Sequence, residues 1–301
     1  MATVITTRPF PNILLVTLNR PKHRNTVGED LIPLFCQIIN AASIDTSVRA
    51  IIVTGNPDGR AFCAGADLSP ETGAFGVHKD PSKKRTVPDV ANFRDGGGYS
   101  TLAALRCTKP IIAAINGAAV GWGLAITLAC DIRIAAENAK VGFTMVARGL
   151  VNESCSSWLL PRIVGPGKAN ELIMTGRVFL ARDSAKEAPG LFNYVLPENQ
   201  VVRKALDIAQ EISTNASGMA VSTCKFMMQE GWDTTVEESM LMESEALHHV
   251  TFLKSKDLKE GITSFIEKRE PSWVYNSFDD LPRFVRVGLG NRKKVTPNSK
   301  L

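Results

Sequence analysis

Lys109-Pro110-Ile111-Ile112-Ala113-Ala114-Ile115-Asn116-Gly117-Ala118-Ala119-Val120-Gly121-Trp122-Gly123-Leu124 is the stretch on which the fold turns. Ile111 to Ile115 is a short apolar run bounded by Pro110 and Asn116-Gly117, which reads as a buried strand. It runs into a glycine-rich turn. Residues 121–130 then have the composition of a small-residue helix, and Ile132 to Ala135 reads as a further strand. Strand, turn, helix and strand in close succession predict an α/β (α+β) fold.

The same grammar extends outward. Ile13 to Leu18 is a β-rich run ended by Asn19-Arg20-Pro21, and residues 28–43 place Leu31, Leu34, Phe35, Ile38 and Ile39 at helical spacing. Ala50 to Thr54 is another strand, stopped by Gly55-Asn56-Pro57-Asp58-Gly59. Beyond residue 200 the chain turns helical, with candidate helices at 199–214, 218–230, 234–249 and 255–269. The expected organisation is a core over 1–200, a helical C-terminal region over 201–270 and a tail over 271–301, whose basic end from Arg283 reads as solvated. Residues 69–99, rich in Pro, Lys, Asp and Gly, read as a lid or insertion over a site, or else as a plain solvated loop. Their closing triplet Gly96-Gly97-Gly98 follows no strand and is no phosphate-binding fingerprint.

Composition narrows the function classes. With 301 residues, 44% hydrophobic and 22% charged, the chain matches a soluble globular protein, and no apolar run approaches the ~20 residues of a bilayer span. The N-terminus has no signal-peptide pattern, so neither secretion nor a membrane is expected. Net charge is +5, and the run from Arg283 to Leu301 is basic without acidic residues. No stacking aromatic follows Arg286, and no nucleic-acid partner is expected. Cys36, Cys63, Cys107, Cys130, Cys155 and Cys224 form no CxxC pair, and His23, His78, His248 and His249 show no ligand spacing; no metal is expected. The terminal Ser299-Lys300-Leu301 is a peroxisomal address, which predicts that location and an import receptor as partner.

Two glycine-rich segments, Ala61-Phe62-Cys63-Ala64-Gly65-Ala66-Asp67-Leu68 and Asn116 to Leu124, each follow a strand. Small residues let backbone approach a ligand, and two N–H donors converging on one oxygen would make an oxyanion hole. On composition alone, tight packing turns are the stronger reading of both.

These segments occur in order with Asn19-Arg20-Pro21-Lys22, Ala129-Cys130-Asp131-Ile132, Leu160-Pro161-Arg162-Ile163-Val164-Gly165 and Phe265-Ile266-Glu267-Lys268-Arg269. The ordered set, over about residues 10–270, resembles the enoyl-CoA hydratase/isomerase (crotonase) family. The resemblance implies a crotonase-like spiral of ββα units with a helical C-terminal trimerisation region, a homotrimer or hexamer, and an acyl-CoA thioester substrate. It implies no cofactor beyond the CoA that the substrate carries. It places CoA near Lys22, His23 and Arg24 and along the backbone of Ala61, Ala64, Gly65, Ala66, Asp67 and Leu68, with Phe265 and Lys268 reaching the CoA of a neighbouring subunit. It maps the oxyanion donors onto the N–H groups of Ala64 and Trp122, the latter usually a glycine, so that the indole takes up nearby space. The two glutamates of the family's hydratases map onto Ala125 and Met145, which cannot transfer a proton. The stretch from Gly149 to Trp158 resembles the peroxisomal Δ3,Δ2-enoyl-CoA isomerases, whose single catalytic base maps onto Glu153. Asp67 and Asp131 read as structural carboxylates. An isomerase is therefore expected; a hydratase using Glu153 and a non-catalytic acyl-CoA-binding protein are the alternatives.

Overall fold

The strands Val4–Phe10 (β1), Ile13–Leu18 (β2), Ala50–Gly55 (β3) and Ala61–Cys63 (β4) precede Ile111–Ile115 (β5), Ala118–Val120 (β6), Ile132–Ala136 (β7) and Lys140–Gly142 (β8). Phe179–Leu180 (β9) and Tyr194–Leu196 (β10) complete the strands of this computed structural model, which describes residues 2–69, 93–252, 255–274, 280–286 and 288. Two sheets result: β1-β2-β3-β5-β7-β10, parallel except for the β1–β2 pair, and a smaller β4-β6-β8-β9. The pairs β3/β4, β5/β6 and β7/β8 each put one strand in the large sheet and the next in the small one, advancing one position per turn. That is a spiral of ββα units.

The helices are Leu31–Ile44 (α1), Gly96–Arg106 (α2), Trp122–Ala125 (α3), Ser156–Val164 (α4), Pro166–Thr175 (α5), Ser184–Glu187 (α6) and Glu198–Asn215 (α7). Gly218–Glu230 (α8), Val236–Phe252 (α9) and Lys256–Glu267 (α10) form the C-terminal region. Every residue of β3 and β5 is buried, as strands covered on both faces must be, which is why they read as unbroken apolar runs. α1 covers the core with Leu31, Phe35, Ile39 and Ala42, one stripe at helical spacing. Between β4 and α2, residues 70–92 of the expected lid lie outside the described residues.

The expected tail requires a correction. A second small core joins Met219 and Phe226 of α8 to Leu281 and Val285, both fully buried, with Phe284 edge-on to Phe226 at 5.9 Å. His249 Nε2 lies 2.9 Å from the Asp280 carbonyl. Residues 280–286 are docked on α8 by burial of their apolar side chains. Ser299-Lys300-Leu301 lies outside the described residues.

Candidate active site

The site is built from three turns. In the first, after β4, Val27 N–H donates to the Gly65 carbonyl (2.8 Å) and Asp67 N–H donates to the Val27 carbonyl (3.0 Å). A parallel bridge to Val27 uses the groups on either side of Ala66, so the N–H of Ala66 itself points away from Val27. Ala64 N–H, by contrast, donates to the Arg24 carbonyl at 3.1 Å. The donor expected at Ala64 is thus corrected: its proton is already committed, and the outward N–H belongs to Ala66.

The second turn lies between β6 and α3. Gly121 has φ 55° and ψ −126°, a conformation that requires glycine, and it starts α3 so that Trp122 N–H stands in the first turn without an intrahelical acceptor. Gly65, at φ 90°, comes into contact with this turn: a Cβ there would sit 3.0 Å from the Val120 carbonyl oxygen. The glycine preceding each donor thus brings the two turns together. Among the described residues neither Ala66 N–H nor Trp122 N–H is hydrogen-bonded. The Trp122 side chain faces the core, 2% exposed, with Nε1 donating to Ser100 Oγ (3.1 Å) and the ring edge-on to Phe35.

The third turn carries Glu153 into α4. Ser154 and Cys155 both have left-handed φ, 56° and 52°. Such conformations cost non-glycine residues on the order of 1–3 kcal/mol each and persist where the surroundings over-determine them. Here Thr101 Oγ1 donates to the Ser154 carbonyl (3.0 Å), and the Cys155 carbonyl accepts the N–H groups of Trp158 and Leu159 (3.0 Å each). Ser154 and Ser156 are buried, and their hydroxyls lack partners among the described residues. Glu153 is half-buried. Burial pushes its carboxyl above the usual range, and the neighbouring Asp95 carboxylate pushes it further. Burial pushes the Cys63 thiol, at the end of β4, up to about 12, and the Glu153 carboxylate adds a smaller push in the same direction.

Ala125 is fully buried and Met145 is 4% exposed, both within the apolar core. Lys22, His23 and Arg24 are exposed on a turn pinned to the β4 approach by Asn25, whose Nδ2 donates to the carbonyls of Asn56 (3.0 Å) and Ala61 (2.7 Å). These three residues therefore lie beside the segment Ala61 to Leu68, as the sequence reading requires. Asp67 is paired with Arg20 at 2.9 Å, and Asp131 accepts from Ile111 N–H and from Lys225 Nζ (2.8 Å); both carboxylates are structural. Phe265 and Lys268 are exposed at the end of α10, and no hydrogen bond among the described residues links them to the first turn. Sequence reasoning missed Asn25 and Asp95, and gave Ala66 to the CoA-contacting backbone without singling out its N–H. A signal for Asp95 was present: an aspartate directly before three glycines suits an N-cap whose first turn is crowded.

Comparison with known proteins converges on one description. The family model "Enoyl-CoA hydratase/isomerase" matches residues 10–276. An enoyl-CoA hydratase of Alternaria alternata is 37% identical over 260 residues, covering 86% of this chain and 82% of that protein. Among solved structures, an enoyl-CoA hydratase from Polaromonas sp. JS666 superposes with a TM-score of 0.78 at 28% identity, covering 91% of this chain and all (100%) of that one. A monofunctional enoyl-CoA isomerase from M. smegmatis does so with a TM-score of 0.65 at 30% identity, covering 80% and 99%.

Proposed function

The chain belongs to the enoyl-CoA hydratase/isomerase family, and from that premise we propose that it is an isomerase moving a double bond from C3 to C2 of an acyl-CoA. The observation that carries this reading is the distribution of carboxylates: Glu153 stands in a half-buried turn, while Ala125 and Met145 are apolar and buried. Glu153 takes a proton from C2, and the electrons spread over C2 to C4 and onto the thioester oxygen. The N–H groups of Ala66 and Trp122 face that oxygen's developing charge, a contribution of several kcal/mol at comparable sites. The same carboxyl then returns the proton at C4, leaving the double bond between C2 and C3. One base that gives back what it took is sufficient, and its raised pKa suits both halves of the cycle.

The hydratase name of the Alternaria alternata relative favours a second reading, water addition through Glu153. Absorbance assays with 3-enoyl-CoA and 2-enoyl-CoA separate the two. Isomerisation generates the conjugated enoyl thioester from the first, whereas hydration removes it from the second. With isomerase activity, Glu153→Gln is expected to lower turnover at least ~100-fold while acyl-CoA affinity stays close to that of the parent. Hydration alone in the parent protein, or near-normal isomerisation by the variant, overturns the proposal; inactivity on both substrates supports a non-catalytic acyl-CoA-binding protein.

The CoA moiety is proposed to lie along Lys22, His23, Arg24 and the Ala61–Leu68 backbone, completed by Phe265 and Lys268 of a neighbouring subunit in a trimer or hexamer. A peroxisomal role rests on Ser299-Lys300-Leu301 and its import receptor. Deleting those three residues is expected to leave folding intact and abolish import; continued peroxisomal targeting of the truncated chain removes the argument.

A further inference from the structure

Asp95 stands at the N-cap of α2, and its Oδ1 accepts the Gly98 N–H and, at 3.4 Å, the Ser154 N–H. The first contact starts the helix; the second reaches the residue that follows Glu153. Gly97 shows how closely these parts meet. A Cβ built there would lie 2.2 Å from Ser154 Oγ, 3.0 Å from Asp95 Oδ1 and 3.2 Å from Trp122 Cδ1. The start of α2, the donor-bearing Trp122 and the turn that carries Glu153 therefore touch at one point.

We propose that Asp95 is a positioning residue for the proton shuttle, holding through the Ser154 N–H the left-handed turn that presents Glu153 and setting a second negative charge beside that carboxyl. The proposal deepens the isomerase reading and rests on Glu153 being the base. A neighbouring carboxylate makes Glu153 hold its proton more firmly, so that it takes the C2 proton more readily. The other titratable groups around it are thiols or lie one step away. Cys63, at the end of β4, is a neutral thiol at about 12. Cys155, on the same turn as Glu153, is raised by burial and by Asp95, and Arg106 at the end of α2 acts on Cys155. Among the described residues Asp95 is the charged group that acts on Glu153.

Asp95→Asn removes the charge and keeps an equally good N-cap acceptor, so the thermal midpoint is expected to stay near that of the parent. The proton on Glu153 can be followed without activity, by infrared difference spectroscopy of its carboxyl band, assigned by its loss in Glu153→Gln. In Asp95→Asn the band's titration midpoint is expected to move to lower pH, and the acid limb of kcat/KM for isomerisation to move with it. Asp95→Ala, which also removes the acceptor, is expected to show the same displacement and a further loss of kcat with little change in KM. An unmoved Glu153 midpoint in Asp95→Asn overturns the electrostatic half of the proposal, and equal kcat in the Asn and Ala variants overturns the positioning half. A midpoint that moves in a protein without isomerase activity upholds the Asp95 effect while removing the functional reading.

Discussion

A carboxyl group half-buried beside a second carboxylate binds its proton more tightly than it would in the unfolded chain, and this preference at Glu153 has a consequence for stability. For a carboxyl whose folded pKa lies above the unfolded value of 4.5, the native state binds more protons between the two values. Stability therefore falls as pH rises through that window, and the penalty is fully present above it. Glu153→Gln removes the penalty. The variant is expected to melt at a higher temperature than the parent at neutral pH, with the gain shrinking as pH is lowered and vanishing below the usual glutamate range. Thermal midpoints measured across pH check this, and a variant less stable than the parent at neutral pH contradicts it. Glu153 stood out in the sequence because Ala125 and Met145 depart from the hydratase pattern, and that departure is a matter of residue type. The N–H proposed as the first oxyanion donor did not, because it is a matter of direction. Along extended backbone the N–H groups of Ala64 and Ala66, two residues apart, would share a side; Gly65 at φ 90° breaks that alternation, so Ala64 donates to the Arg24 carbonyl while the bridge to Val27 turns the Ala66 N–H away from Val27.

At the scale of elements, the small core under α8 is separate from the main one, and its loss should be local. Leu281→Ala deletes a fully buried side chain that packs with Met219, Phe226 and Val285, a change that typically costs about 2–5 kcal/mol when the site cannot collapse. In hydrogen exchange, amides of 280–286 and of α8 are expected to lose protection while β3 and β5 keep theirs; uniform loss across both regions would mean that the two cores unfold as one. The sequence revealed the elements whose burial has a clear period. α1, α7, α8, α9 and α10, and the strands β2, β3, β5 and β7, lie within a few residues of their expected positions. It hid β4, β6 and β8, because three residues each are too few to show a period and their identity as strands comes from the partner across the small sheet. It also hid α4, which is entered through two left-handed residues and contains Pro161, and α5, which opens on Pro166. The docked segment 280–286 escaped notice because Leu281, Phe284 and Val285 are too few to establish a period, and only the face of α8 makes them a core.

For the whole molecule, the decisive feature is apolar surface without cover. α9 exposes Val236, Met240, Leu241, Leu247 and Phe252, and α10 exposes Ile262, Phe265 and Ile266. Single exposed apolar residues are ordinary, but a run of them over two successive helices marks an interaction surface. Burying a leucine, isoleucine or phenylalanine side chain contributes about 1.5–3 kcal/mol, so a few such residues per subunit supply enough driving force to hold chains together after the entropy of association is met. Closed symmetry then places the same patch of every subunit in an equivalent contact. The expectation is a mass of three or six chains by light scattering at micromolar concentration. Phe265→Asp combined with Ile266→Asp puts charges where apolar surface would be buried, and is expected to release monomers. Because Phe265 is also proposed to reach the CoA of a neighbouring subunit, acyl-CoA affinity should fall in the same variant, whereas the infrared band of Glu153, set by Asp95 and burial within one chain, should titrate as in the parent. A parent protein that is monomeric across that range removes the assembly. A variant that dissociates yet binds acyl-CoA as the parent does leaves the assembly standing and shows that each subunit completes its CoA site alone.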